Sequence, residues 1–162
     1  MPELYPLDRA ACAALLDGTA PILKRLTNLS AVRDLLQIVA PAQVALYDST
    51  GVEAPWIGYL AYVQKTGEVV GACSFKGACT DGRVEIAYFT FPHAEGLGHG
   101  KAMAAALVDI AAATAEAHTV IAFTLPEENA SSAILRGLGF ANTGFGVDED
   151  VGRTWSWERR IK

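Results

Sequence analysis

The sequence predicts an α+β fold built on a mixed, mostly antiparallel sheet with flanking helices, and three observations predict it. Helix-forming segments fill the first third of the chain. From Trp56 the apolar residues fall into the two-residue rhythm of strands. A glycine-rich loop then opens an alanine-rich helix only after three strands have passed. Helices, three strands, helix, strand, helix and two strands is not a regular βαβ alternation.

Each element has its own local reason. Asp8 is placed to cap "RAACAALLD", and Gly18 stops it. Ser30 is placed to cap "AVRDLLQIV", and Pro41 is expected to end that helix and start a short third one. "WIGYLAYVQ", a turn near Thr66-Gly67, "EVVGACSFKG" and "RVEIAYFTF" read as an antiparallel meander. A helix follows from about Lys101 to Ala117, then "TVIAFTL" as a buried strand and "NASSAILRG" as a short helix. "GFANTGFG" and "RTWSWERRI" close the chain as a hairpin around Asp148-Glu149-Asp150.

Composition bounds the function. With 162 residues, 51% hydrophobic and 19% charged, residues 1–162 read as one domain with a substantial core. A net charge of -5 argues against broad nucleic-acid binding and mildly favours cationic ligands such as amines. The N-terminus lacks the basic and apolar regions of a signal peptide, and no charge-free apolar run reaches the ~18 residues of a membrane span. Cys12, Cys73 and Cys79 match no zinc spacing and read as reduced thiols, so no metal is expected and a cytoplasmic location is the default.

The loop "AEGLGHGKA" sets three glycines in five positions directly before a helix, which suits a phosphate held on first-turn N–H groups. It is not a P-loop, because Glu95 and Ala102 stand where glycine and Ser or Thr are required. Nor is it a dinucleotide loop. Lys101 replaces the third glycine, and Thr124-Leu125 end the next strand without an acid.

"EGLGHG" instead resembles the Gln/Arg-x-x-Gly-x-Gly/Ala pyrophosphate loop of the GNAT N-acetyltransferases, with Gly98 and Gly100 in the two glycine places. "VEIAYFTFPHAEGLGHGKAMAAAL", "TLPEENASSAILRGLGF" and "TWSW", in that order, are similar to the RimJ/RimL-type branch over about residues 56–160. The resemblance implies the GNAT fold and acetyl-CoA as co-substrate. The pyrophosphate would lie on backbone N–H groups of Gly96, Leu97, Gly98, His99, Gly100 and Lys101. The pantetheine arm would follow Phe89, Thr90 and Phe91, with Asn129 on one of its amides and Ser131 near the sulfur. Glu95 departs from the family's Gln or Arg and brings a carboxylate toward the pyrophosphate.

Direct transfer to a primary amine needs a base, an oxyanion donor and help for the leaving thiolate. Glu85 is the expected base: strand alternation puts it on one face with Ala87, Phe89 and Phe91, where desolvation raises its pKa. A structural carboxylate satisfied by a neighbour is the plainer alternative. His93 and Asp148 are lesser candidates. The oxyanion donor is expected to be an N–H of Phe89 or Thr90. The tyrosine that many GNAT enzymes carry four residues before Gly-Phe is Leu135 here, which leaves Ser131 as the expected aid to the thiolate. Capping is the alternative role for Asn129 and Ser131. Trp155 and Trp157 read as core, and the acidic turn as a solvated hairpin tip or a lure for cations.

The sequence therefore points to an N-acetyltransferase acting on a protein N-terminus or a small-molecule amine. A non-catalytic acyl-CoA-binding or regulatory module of the same fold is the alternative. Homodimers are common in the family that this chain resembles, though nothing in the sequence requires one.

Overall fold

In the computed structural model, which describes residues 1–162, the change of hydrophobic rhythm at Trp56 separates a helical layer from a seven-stranded sheet. The elements run β1 (Glu3–Leu7), α1 (Arg9–Asp17), α2 (Leu29–Thr50), β2 (Gly58–Val63), β3 (Glu68–Phe75) and β4 (Arg83–Thr90). After these come α3 (His99–Ala113), β5 (Thr119–Thr124), α4 (Ala130–Gly137), β6 (Ala141–Asp148) and β7 (Gly152–Arg160). The strand order is β1-β2-β3-β4-β5-β7-β6, and every neighbouring pair is antiparallel except β4 and β5.

Two apolar clusters cover the two faces of the sheet. Met103, Ala104, Leu107, Val108 and Ala111 bring one face of α3 against Val84, Ile86, Val120, Ala122 and Trp157. On the opposite face, α1 and α2 pack Cys12, Val32, Leu36 and Ala40 onto Leu7, Leu60, Val69 and Phe91. Trp157 is fully buried, and its Nε1 donates to Thr124 Oγ1 at 3.0 Å, so it is core, as expected.

The structure departs from the sequence reading in the helical third. β1 is a five-residue edge strand containing Pro6, which pairs in register with Tyr59. An edge tolerates a residue with no N–H to donate, so a proline there does not forbid a strand. α2 runs unbroken through Pro41 for 22 residues. Val32, Leu36, Ala40 and Tyr47 must all face the core, and that burial outweighs the roughly 3 kcal/mol of an interior proline. Its cap position is Asn28 rather than Ser30. The Asn28 amide turns instead to β3, accepting from Val69 N at 2.9 Å and donating to Val69 O at 3.0 Å. α2 is also long and apolar enough to cross a bilayer, with a mean hydropathy of 1.2. Here one of its faces lies on the sheet. Lastly, α3 ends at Ala113, short of Ala117.

Candidate active site

The parallel ladder between β4 and β5 is short. It pairs Arg83 with Thr119, Val84 with Val120 and Glu85 with Ile121, and then ends, although β4 runs on to Thr90 and β5 to Thr124. A wedge therefore opens between the C-terminal halves of two central strands, where backbone groups lose their sheet partner. β3 settles which groups these are. Glu85 O accepts from Lys76 N and Phe91 N donates to Val70 O, and the register between them holds without a shift. Odd-numbered β4 residues thus turn their backbone toward β3, while Tyr88 and Thr90 turn theirs toward the wedge. The Phe89 N–H, one of the two expected oxyanion donors, belongs to the β3 ladder.

The glycine loop closes one end of this wedge. Gly96 and Gly98 have φ of 76° and 81°, left-handed values that any side chain would strain. Gly100 serves a different need: a Cβ there would lie 3.1 Å from both Thr90 Oγ1 and Ile134 Cδ1. Two glycines let the loop turn, and the third lets α3 approach β4 and α4. No side chain caps α3 at Gly98, and the first helical bond runs from Ala102 N to Gly98 O at 3.1 Å. The N–H groups of His99, Gly100 and Lys101 precede that bond, so their dipoles are aimed out of the helix terminus.

Tyr88, Phe89, Thr90, Glu95, Gly96, Gly98, His99, Gly100, Ala130, Ser131 and Ile134 together enclose a cleft of about 490 Å³. Seven of the eleven residues expected to bind the coenzyme are thereby brought together: Phe89, Thr90, Gly96, Gly98, His99, Gly100 and Ser131. Four are not on its wall. Phe91 is a correction: it is fully buried on the opposite face of the sheet and its N–H is spent on Val70, so it cannot line the wedge. Leu97 projects outward, 71% exposed. Lys101 faces the wedge only through its N–H. Asn129 is the N-cap of α4, its Oδ1 accepting from Ser132 N at 2.9 Å.

A second concavity lies on the other side of β4. Ile38, Val39, Ala42 and Gln43 of α2 face Ala72, Cys73, Ser74 and Ala87 across an apolar groove of about 300 Å³. Tyr88 and Phe89 border both spaces, so this stretch of β4 forms a wall of each. Cys73, opposite Tyr88 in the β3–β4 register, turns its thiol to the α3 side of the sheet, and burial pushes that thiol up to about 12, so it offers the groove no thiolate nucleophile.

Glu85 borders a third hollow, of about 340 Å³, with Lys76, Phe123, Val147, Asp148, Glu149 and Asp150. It is half-buried, and its carboxylate makes no hydrogen bond or ion pair with another side chain. Desolvation raises its pKa; Lys76 opposes the rise and Asp148 adds to it. The alternative of a satisfied structural carboxylate finds no partner here. The lesser candidates are occupied. Asp148 accepts from Asp150 N and Val151 N, bonds that hold it below the usual carboxylate range. His93 Nε2 lies 2.9 Å from Val69 O and 3.2 Å from Asn28 Nδ2, fixed at the junction of α2 and β3.

Sequence reading missed Tyr88. Its phenol stands between β4 and α4 and donates to Ser131 O at 3.4 Å. The available signal was strand alternation, which sets Tyr88 on the same face as Thr90. Leu135, in the place of the family's tyrosine, is fully buried in the core and faces no cleft.

Comparisons with known proteins agree with this geometry. No curated protein sequence matches the chain. The fold is similar to that of RimL, a ribosomal L7/L12 alpha-N-protein acetyltransferase solved in complex with coenzyme A. That match has a TM-score of 0.66 and 18% identity, covering 99% of this chain and 94% of the other. It is also similar to the spermidine/spermine N-acetyltransferase SpeG from Vibrio cholerae, with a TM-score of 0.66, 11% identity, and coverage of 99% and 95%. A third likeness is to yncA from Salmonella typhimurium, solved with its cofactor acetyl-CoA, at a TM-score of 0.60, 18% identity, and coverage of 100% and 95%. At these identities the likeness is one of fold. The model of the acetyltransferase (GNAT) domain matches residues 22–141, and with the split β4–β5 pair and the glycine cradle in place, the chain belongs to the GNAT acetyltransferase family.

Proposed function

We propose that this protein transfers an acetyl group from acetyl-CoA directly to a primary amine. One observation carries the reading. A cleft ending on unspent helix N–H groups shares Tyr88 and Phe89 with a separate groove, and farther along the same strand a half-buried, unpaired glutamate borders a third hollow. A binding module needs only the first of these.

The roles follow from the chemistry. N–H groups of His99, Gly100 and Lys101 would hold the pyrophosphate. The wedge-facing backbone of Tyr88 and Thr90 would bond the amide-rich arm and supply an N–H for the oxyanion. An alkylammonium with a pKa of ~10 is no nucleophile at neutral pH, so Glu85 must remove its proton. Glu85 lies three residues before Tyr88, roughly 10 Å of strand, so the proton passes through water. The wall of Asp148, Glu149 and Asp150 beside Glu85 favours a cationic acceptor, in keeping with the net charge of -5. An N-terminal amine, as in RimL, and a polyamine, as in SpeG, both meet that demand.

Thermal shift with acetyl-CoA, followed by thiol release across polyamines, N-terminal peptides and amino sugars, tests the proposal. Stabilisation with thiol release for at least one amine is the expected result. Stabilisation without release for any acceptor favours the non-catalytic module, and no stabilisation defeats both.

A further inference from the structure

We infer that Tyr88 is a catalytic residue whose hydroxyl donates a hydrogen bond to the departing sulfur of the coenzyme, in the place that sequence reading gave to Ser131. The inference rests on the acetyl-transfer reading above and adds a residue to it.

The position of the reacting atoms follows from the two spaces. A thioester in the cleft and an amine reaching it from the groove would meet at the strand segment that walls both, and Tyr88 and Phe89 are the residues common to both walls. Of the two, only Tyr88 has a polar side chain. Its ring packs beside the α3 core cluster near Gly100, and its hydroxyl reaches across to α4. The bond that it makes there is 3.4 Å long, at the weak end of the range, and its acceptor is the carbonyl of Ser131. A phenol so loosely held can turn its proton to a sulfur in the cleft at little cost. Ser131 offers a hydroxyl from the same stretch of α4, but an aliphatic alcohol is a poorer donor to a growing negative charge than a phenol.

The step balances without a proton leaving the phenol. Glu85 first takes the ammonium proton through water and passes it to solvent; the free amine nitrogen then adds to the thioester carbon, and its second proton leaves by the same water to Glu85. As the intermediate collapses, the C–S bond breaks and its electron pair goes to sulfur. Tyr88 Oη–H bonds to that thiolate and keeps its proton, and solvent protonates the sulfur on release. Burial pushes the Tyr88 phenol up to about 12, whereas an ordinary thiol lies near ~8.5, so full transfer from Tyr88 would run uphill. Hydrogen bonds to a charged partner are stronger than neutral ones, and this one forms only as the bond breaks.

The test compares Tyr88→Phe and Ser131→Ala with the unmodified protein. With the amine found by the panel, Tyr88→Phe should lower kcat by about 10- to 100-fold, with the acceptor KM and coenzyme A affinity within about twofold. Thiolate absorbance of bound coenzyme A, followed through a pH titration, should show a thiol pKa at least about one unit higher in Tyr88→Phe. This second readout needs no turnover and serves even if no amine is acetylated. Fluorotyrosine at position 88, which retains the ring and strengthens the donor, should lower that thiol pKa. If the unmodified enzyme turns over and Tyr88→Phe alters neither kcat nor the thiol pKa, Tyr88 is excluded while acetyl transfer stands. A rise in thiol pKa in Ser131→Ala alone would return the role to Ser131. Failure of coenzyme A to bind overturns both proposals.

Discussion

Asn129 and Ser132 satisfy each other at the start of α4: Asn129 Oδ1 accepts from Ser132 N, and Ser132 Oγ accepts from Asn129 N, each at 2.9 Å. This reciprocal cap fixes the turn that carries Ser131 and the carbonyl facing Tyr88. Asn129→Ala should therefore destabilise the protein by about 1 kcal/mol and weaken coenzyme A binding indirectly. Asn129→Asp keeps the capping oxygen and puts a carboxylate at a helix N-terminus, a favourable place. It should retain both melting temperature and affinity. If Asn129→Asp loses coenzyme affinity at full stability, the Asn129 Nδ2 group contacts the pantetheine arm after all.

The glycine loop makes two opposite predictions. Gly98→Ala forces a side chain into a left-handed conformation at about 1–2 kcal/mol, and the resulting shift of the first-turn N–H groups should reduce coenzyme A affinity by at least about tenfold. Glu95 lines the cleft beside the N–H cradle and has no ion-pair partner, so its charge would oppose a pyrophosphate held there as proposed. Glu95→Gln should tighten binding several-fold in dilute buffer. The gain should shrink at 1 M salt, where the screening length falls to about 3 Å. Calorimetry at the two ionic strengths measures both effects, and salt-independent tightening would exclude charge as the cause.

Much of the sheet was legible because strand alternation and turn residues are local signals. The elements that escaped depend on distant packing. Pro6 hides β1, since only its position at the sheet edge makes a proline harmless there. Pro41 divides α2 on paper, but the continuous apolar face from Val32 to Tyr47 holds the helix together. In the site, the loop was legible because glycine spacing reports backbone demands. Phe91 was misplaced because alternation groups it with Phe89 but does not say that the end of β4 dives under α1 and α2. Tyr88 escaped for a related reason. Its place on the wall of the wedge comes from the parting of β4 and β5 after Glu85 and Ile121, and no spacing in either strand marks that point.

As the proposed base, Glu85 would link activity and stability with opposite signs. A base must be ionised to work, so the acid limb of kcat/KM should lie above the ordinary carboxylate value of 4.5, and Glu85→Gln should abolish that limb with a loss on the order of 100-fold. Its folded pKa is raised, mainly by desolvation, so the protonated form suits the fold better. The associated stability is present below the unfolded value and is lost as pH rises through the folded one. At pH 8 the protein therefore bears the cost of a half-buried carboxylate. Glu85→Gln should melt at the same or a higher temperature there, and it should lose that advantage near pH 4. A lower melting temperature at pH 8 would mean that the carboxylate serves the structure.

Tyr47 provides a comparable test away from the site. Its hydroxyl is buried, donates to Leu7 O at 2.6 Å and accepts from Gly58 N at 2.8 Å, so one phenol on α2 ties the end of β1 to the start of β2. Tyr47→Phe leaves a buried carbonyl and a buried N–H without their partner. The expected cost is about 2 kcal/mol, or roughly 4–8 °C in Tm for a domain of this size. Burial pushes the Tyr47 phenol up from 10.0 to about 12, so the unfolded chain ionises first as the solution becomes alkaline. Stability carried by the neutral phenol is complete below pH 10 and disappears by about pH 12. Urea melts between those limits should show Tyr47→Phe losing stability with pH less steeply than the unmodified protein. Parallel curves would mean that the phenol ionises as easily folded as unfolded, and coincident curves that the hydroxyl contributes nothing to the junction of β1 and β2.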